Sequence, residues 1–213
     1  MSTEFSPDRL KTARTTLKLS MEDLSILTDR IVSRQSIHSY ETERMKPKAT
    51  VLNKLAKALG VSPHYLEGKG MMIDIPALRY TGSKALTREE IHEIENILAF
   101  RAERYIDLEE KNGMLKQFSN PLKSFIISNQ KEADDASKFL REQWGMGSAS
   151  IPSVYRLLER KGIKLIETTL PQGVLGLSTW CEKKYPLIVM NADKTSTTTE
   201  RTRFTAVHEL GHL

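Results

Sequence analysis

Behind Ser6-Pro7, the apolar residues Leu10, Ala13 and Leu17 recur at helical spacing. A capping residue followed by proline marks a helix start, because proline's missing N–H costs nothing at the first helical position, and a helix is predicted over roughly 7–17. Ser20 with Asp23 three residues on forms a capping box that opens a second short helix through Leu24 and Leu27. Ser33 caps a third, running from Arg34 to about Arg44, with Ile37 and Tyr40 turned inward. Thr50 is the expected cap of a fourth, which carries Val51, Leu52, Leu55, Ala56 and Leu59 and is stopped by Gly60. Ser62-Pro63 repeats the first device and starts a fifth helical turn with Tyr65 and Leu66. Five short helices with tight joints make one small core.

The pattern then changes. "EGKGMMIDIPALRYTGSKAL" mixes glycine, proline and short apolar runs, which reads as a linker with one extended segment near Leu78 to Tyr80. Thr87 and Glu90 form another capping box, after which Ile91, Ile94, Leu98, Tyr105, Leu108 and Leu115 mark a helix of about 28 residues. Its spacing approaches a heptad, interrupted by Arg101 and Asn112. A dimerising coiled coil and a scaffold helix packed on its own chain both fit, and the polar seam positions favour the scaffold. Pro121 closes this segment. Helical spacing returns from Ser128 to Trp144, with Ala133, Ala136, Phe139 and Leu140 inward and Gly145 beyond the end. Ile151-Pro152 opens a further helix through Val154, Leu157 and Leu158, stopped by Gly162. "IKLIET", "GVLGLSTW" and "YPLIVMN" read as three strands. "ERTRFTAVHELGHL" is a last helical pattern, with Thr199 as its expected N-cap.

The expected fold is therefore mainly α with a small α+β C-terminal part. It divides into a five-helix domain over 1–68, a linker over 69–86, a long connecting helix and loop over 87–127, and an α+β region over 128–213. A single cysteine, Cys181, rules out an internal disulfide. No apolar run approaches the ~18 residues of a membrane span and no signal peptide opens the chain, so a cytoplasmic protein is expected. The net charge of +5 is concentrated at the front: residues 1–70 carry 12 Lys/Arg against 8 Asp/Glu, and the remainder is nearly neutral. That distribution suits a polyanion-binding module ahead of a neutral partner region.

The third helix carries Arg34, Gln35, Ser36, His38 and Ser39 on its polar side. Arginine can grip guanine O6/N7 and glutamine adenine N6/N7 with two bonds each, while serine or histidine can supply one. A small helical interaction module with a solvated face would not need that cluster. The run "LKLSMEDLSILTDRIVSRQSIHSYETERMKPKATVLNKLAKALGVSPHYL" resembles the XRE, or Cro/cI-like, helix-turn-helix family over residues 8–67. The resemblance implies that the third helix lies in the major groove, with Arg34, Gln35 and Ser39 as favoured base readers. It also implies that Ser20 and the start of the second helix, with Arg44, Lys46 and Lys48 after the third, hold phosphates. Arg14 and Glu41 match the family's internal ion pair. Two departures stand out: Met21 occupies a position where the family often has glutamine, and the turn from Thr28 to Val32 is about two residues longer than usual, which implies a changed angle of the reading helix.

The last helix holds His208, Glu209 and His212, an H-E-x-x-H set. On a helix the i, i+4 spacing brings both imidazoles to one face, within reach of one Zn²⁺, while the glutamate can act on a metal-bound water. His64 and His92 lack a ligand-spaced partner and read as surface residues, and Cys181 could serve as a ligand only by folding back. "RFTAVHELGHL", preceded by "PLIVMN" and "EQWGMGSASIPSVYRLLERKGIKLIE", resembles the ImmA/IrrE family of metallopeptidase-like domains over roughly 130–213, which is frequently fused behind an XRE domain. The resemblance implies a zincin-like module with His208 and His212 as zinc ligands and Glu209 as catalytic base. The family's third ligand is an acidic residue on a downstream helix, and no match for it precedes Leu213. The expectation is a domain cut short after its motif, with zinc weakly bound or absent, an inactive protease site, a frayed turn at His212, and Phe204, Val207, Leu210 and Leu213 short of a packing partner.

Three functions compete. The first is a transcription regulator acting as a homodimer on a palindromic double-stranded operator, with the C-terminal region sensing or assembling through a protein partner or small-molecule effector. The second is a zinc metalloprotease that cleaves a repressor or partner, and the third is the antitoxin or immunity member of a paired system. No membrane role is expected.

Overall fold

The computed structural model describes residues 5–68, 73–74, 80–82, 86–193 and 198–213. Local capping sets the first five helices, α1 (Pro7–Thr16), α2 (Met21–Leu27), α3 (Arg34–Glu41), α4 (Ala49–Leu59) and α5 (Pro63–Leu66). Ser6, Ser20, Ser33 and Ser62 each accept a first-turn backbone N–H, and at α2 the Asp23 carboxylate returns the bond to the Ser20 N–H. Each such cap is worth about 1 kcal/mol. The fourth helix differs from expectation: it begins at Ala49, Lys48 is its cap without a side-chain bond, and Thr50 lies inside the first turn. Lys48 has an extended backbone, and its carbonyl accepts from the Leu52 N–H at 2.9 Å. Gly60 ends α4 in the left-handed region, φ 64°. Leu10, Leu24, Ile37, Leu55, Leu59 and Tyr65 form the centre of this core, and the Ser6 N–H donates to the Leu66 carbonyl to close it.

Helix α6 (Arg88–Lys111) packs on this domain and on the rest. The expected continuation to Leu115 does not occur, because Gly113 takes φ 64° and the Met114 N–H bonds back to the Glu109 carbonyl, a C-terminal stop. Leu108, expected inward, is exposed. The helix instead buries several faces: Ala99 and Phe100 complete the first core, and Ile94, Leu98, Ala102 and Ile106 enter a second. It is thus a scaffold helix on its own chain, which explains why its apolar positions follow no single stripe.

The second core rests on a five-stranded sheet of β1 (Ile73–Asp74), β2 (Tyr80–Gly82), β3 (Lys164–Thr168), β4 (Val174–Cys181) and β5 (Tyr185–Asn191). Its order is β1-β4-β5-β3, with β2 also paired to β4, and all pairings are antiparallel except β3 with β5. The segment read as a linker therefore contributes two short strands; Tyr80 begins one, while Leu78 and Arg79 lie outside the described residues. Strand β5 is buried from Tyr185 to Met190, as its unbroken apolar run requires of a strand covered on both faces. Helix α6 covers one face. The other is covered by α8 (Val154–Arg160) and α9 (Thr199–Leu210), through Leu158, Ile163, Ile188, Met190 and Ala206. Helix α7 (Gln130–Gln143) buries only Ala136.

Two further helix starts shift by local capping. Ser153, rather than Pro152, opens α8 by accepting from the Arg156 N–H, and Thr198, rather than Thr199, opens α9 by accepting from the Arg201 N–H. Lys164 is buried, with its ammonium on the Glu109 carboxylate and over the Tyr105 ring. That pair ties β3 to α6.

Candidate nucleic-acid interface and histidine pair

Helix α3 is held from behind. Ile37 and Tyr40 are buried, and Glu41 receives two parallel bonds from Arg14, Nε at 2.7 Å and Nη2 at 2.8 Å, while Arg14 Nη1 donates to the Leu19 carbonyl at 2.8 Å. The side chains of this pair are 11% and 3% exposed, and the adjacent carboxylate holds the guanidinium's pKa above its usual value. The fork fixes α3 against α1 with a defined rotation.

On the opposite side Arg34, Gln35 and His38 are exposed. The two serines are differently placed. Ser36 is half-buried and its hydroxyl shares a 2.9 Å bond with that of the cap residue Ser33, while the half-buried Ser39 hydroxyl donates to the Gln35 carbonyl at 3.0 Å. Both hydroxyls bond locally, while Arg34, Gln35 and His38 are the exposed donors and acceptors of the cluster. Arg44, Lys46 and Lys48 are exposed on the following loop, where the Arg44 and Met45 N–H groups both bond to the Ser39 carbonyl. The start of α2 is less inviting to phosphate: Ser20 and Asp23 satisfy each other, Glu22 sits beside them, and hydrogen bonds to Ser20 hold the Asp23 pKa below its usual value. The Asp23 carboxylate takes the Ser20 N–H at 2.8 Å.

The lengthened turn is absorbed by two consecutive residues in the left-handed region, Asp29 at φ 56° and Arg30 at φ 57°. Thr28 braces it, donating to the Ser25 carbonyl at 2.8 Å and accepting from the Val32 N–H at 3.3 Å. Met21 packs against the first core rather than facing outward.

Sequence reasoning missed the contacts that α6 makes with the α4–α5 joint. Glu103 accepts from the Ser62 N–H and hydroxyl, and Arg104 donates to the Leu59 carbonyl. Helix start and helix end each receive the complementary charge. The adjacent Glu103-Arg104 dipeptide is the signal, but only the fold shows that it meets this joint.

At the far end, His208 on α9 and His212 in the turn that follows it are exposed with their Nε2 atoms 3.2 Å apart. Two tetrahedral zinc ligands at ~2.0–2.1 Å stand roughly 3.3 Å apart, so the pair fits a zinc ion as two of its ligands. Glu209 is fully buried, accepting from the Ser178 hydroxyl on β4 at 2.9 Å. This closeness depends on Gly176, where a Cβ would come within 2.9 Å of Thr205 Cγ2. No cluster of three metal-ligating side chains occurs among the described residues. Cys181 is buried in the second core, where burial pushes its thiol up to about 12. His64 is exposed beside Glu67, and His92 lies near Asp8 and Glu95. The apolar stripe expected to lack a partner is split: Phe204 and Val207 are exposed, whereas Leu210 and Leu213 pack against the α8–α9 core. The turn at His212 is closed by bonds from its N–H to the Glu209 carbonyl and from Leu213 to Leu210.

Residues 10–66 match the family model described as Helix-turn-helix. This segment is an XRE-type helix-turn-helix domain. No curated protein and no solved structure matches the chain. No helix among the described residues is long and apolar enough to cross a membrane.

Proposed function

We propose that the chain is a sequence-specific DNA-binding regulator that reads the major groove with Arg34, Gln35 and His38 and clamps the flanking phosphates with Arg44, Lys46 and Lys48. The observation that carries this reading is the two-sidedness of α3: one face is locked by Ile37, Tyr40 and the Arg14–Glu41 fork, and the other presents base-reading side chains to solvent. One such domain buries too little surface for tight specific binding, which supports a homodimer on a two-fold operator. Arg34→Ala should cost about 1–3 kcal/mol on the best site and relax preference at one base position, whereas Lys46→Ala should weaken all sequences alike and lower the salt slope by about one. Titrations in which Arg34→Ala weakens specific and random DNA equally would remove Arg34 from the reading set.

A second reading, of the C-terminal region as a metallopeptidase-like module, is supported by the His208–His212 separation beside buried Glu209. Bound zinc would supply a polarised water for carbonyl attack. In this chain the two imidazoles would hold the ion, Ser178 would orient Glu209, and the glutamate would take up the proton.

A further inference from the structure

The turn ahead of α3 is tightly tied, yet it ends on an exposed apolar side chain. The Asp29 N–H donates to the Ile26 carbonyl at 2.9 Å, that of Arg30 to Ser25 at 2.9 Å and that of Ile31 to Thr28 at 3.1 Å. Asp29 and Arg30 are both left-handed, an unfavourable conformation for a residue with a Cβ and most of all for one as long as arginine. Backbone held in such a region by surrounding bonds gathers where a chain has a group to present.

The group presented here is Ile31, which is 56% exposed. Val32 behind it turns into the first core, and Ser33 faces out again, its hydroxyl accepting from the Ser36 N–H at the start of α3. Neighbours in an extended segment point to opposite sides, so Ile31 and Ser33 share the outward side of the chain as it enters α3. Arg34 and Gln35 are exposed at the same end of the helix. Three residues, at most about 11 Å of chain, separate Ile31 from Arg34. The Arg30 guanidinium bonds to Glu22 on α2 at 3.1 Å, which leaves the isoleucine as the apolar group beside this polar cluster.

We propose that Ile31 reads a thymine, packing on its 5-methyl group next to the bases met by Arg34 and Gln35. A helix in the major groove sets its N-terminal residues against base edges, and the thymine methyl is the apolar mark that those edges carry. Ile31 thereby adds an apolar contact to a set of hydrogen-bonding readers, a role that rests on the DNA-binding reading above.

The test titrates the full chain against its preferred duplex and against duplexes in which single thymines of one half-site are replaced by deoxyuridine, which removes the methyl and keeps the base pair. At one thymine uracil should weaken the parent about fourfold, the worth of one buried methyl. Ile31→Ala should lose about fourfold per half-site on the unmodified duplex and show no further loss with uracil at that thymine. Ile26→Ala, the same truncation of an exposed isoleucine on α2, should bind both duplexes like the parent. Since both side chains are exposed, both variants should melt like the parent. A parent indifferent to every thymine methyl, or an Ile31→Ala chain that keeps the full uracil penalty, would overturn the inference. Ile31→Ala with parental affinity and parental discrimination would also overturn it, and would assign the exposed isoleucine to a protein partner. A parent that prefers no sequence would remove this inference together with the DNA-binding reading, whereas sequence preference without methyl dependence removes this inference alone.

Discussion

Arg14 and Glu41 are the residues that join α1 to α3 by a two-bond fork. Their two parallel bonds lie in a nearly dry setting, with Glu41 at 3% exposure, so removing one partner strands a buried charge. Glu41→Ala should cost about 3–5 kcal/mol in urea denaturation, and replacing both residues by apolar ones of similar volume should restore much of it. A Glu41→Ala protein as stable as the parent would show that the pair does not hold α3. At this scale the sequence is legible where spacing is local. The caps at Ser6, Ser20, Ser33 and Ser62 follow from a residue and its neighbours three positions on, and the outward placement of Arg34, Gln35 and His38 follows from helical period. Ser178 beside Glu209 and Lys164 against Glu109 are not legible, because each is set by elements 31 or more residues apart.

Among the elements, α6 departs furthest from its pattern. A helix that serves two cores buries Leu98, Ala99 and Phe100 in succession, and that continuity breaks the single stripe from which a helix face is read. The strands β3, β4 and β5 lie within a residue of their apolar runs, since sheet burial leaves a period or an unbroken run in the sequence. Strands β1 and β2 leave no such mark, being two and three residues long and made by pairing with β4. At the end of α9, two imidazoles alone make a weak metal site, since hydrolytic zinc normally has three protein ligands. Zinc should therefore purify below one equivalent and be removed by chelator without loss of DNA binding. One tightly held equivalent, lost on His208→Ala, would contradict this and reveal a third ligand.

For the molecule as a whole, the arrangement is a DNA-binding domain and a helix-covered sheet that share one helix. Glu103 and Arg104 secure the shared helix to the α4–α5 joint, and Lys164 with Glu109 secures it to β3. Side-chain contacts thus run from β3 through α6 to the α4–α5 joint. The central claim is that this molecule selects a DNA sequence as a pair. The most direct measurement is selection from a pool of random duplexes by the full chain, followed by the mass of the complex on the winning sequence. The account predicts enrichment of two inverted half-sites about one helical turn, roughly 10 base pairs, apart and two protomers per duplex. Retention of the pool without enrichment, or one protomer on an unsymmetric site, would contradict it.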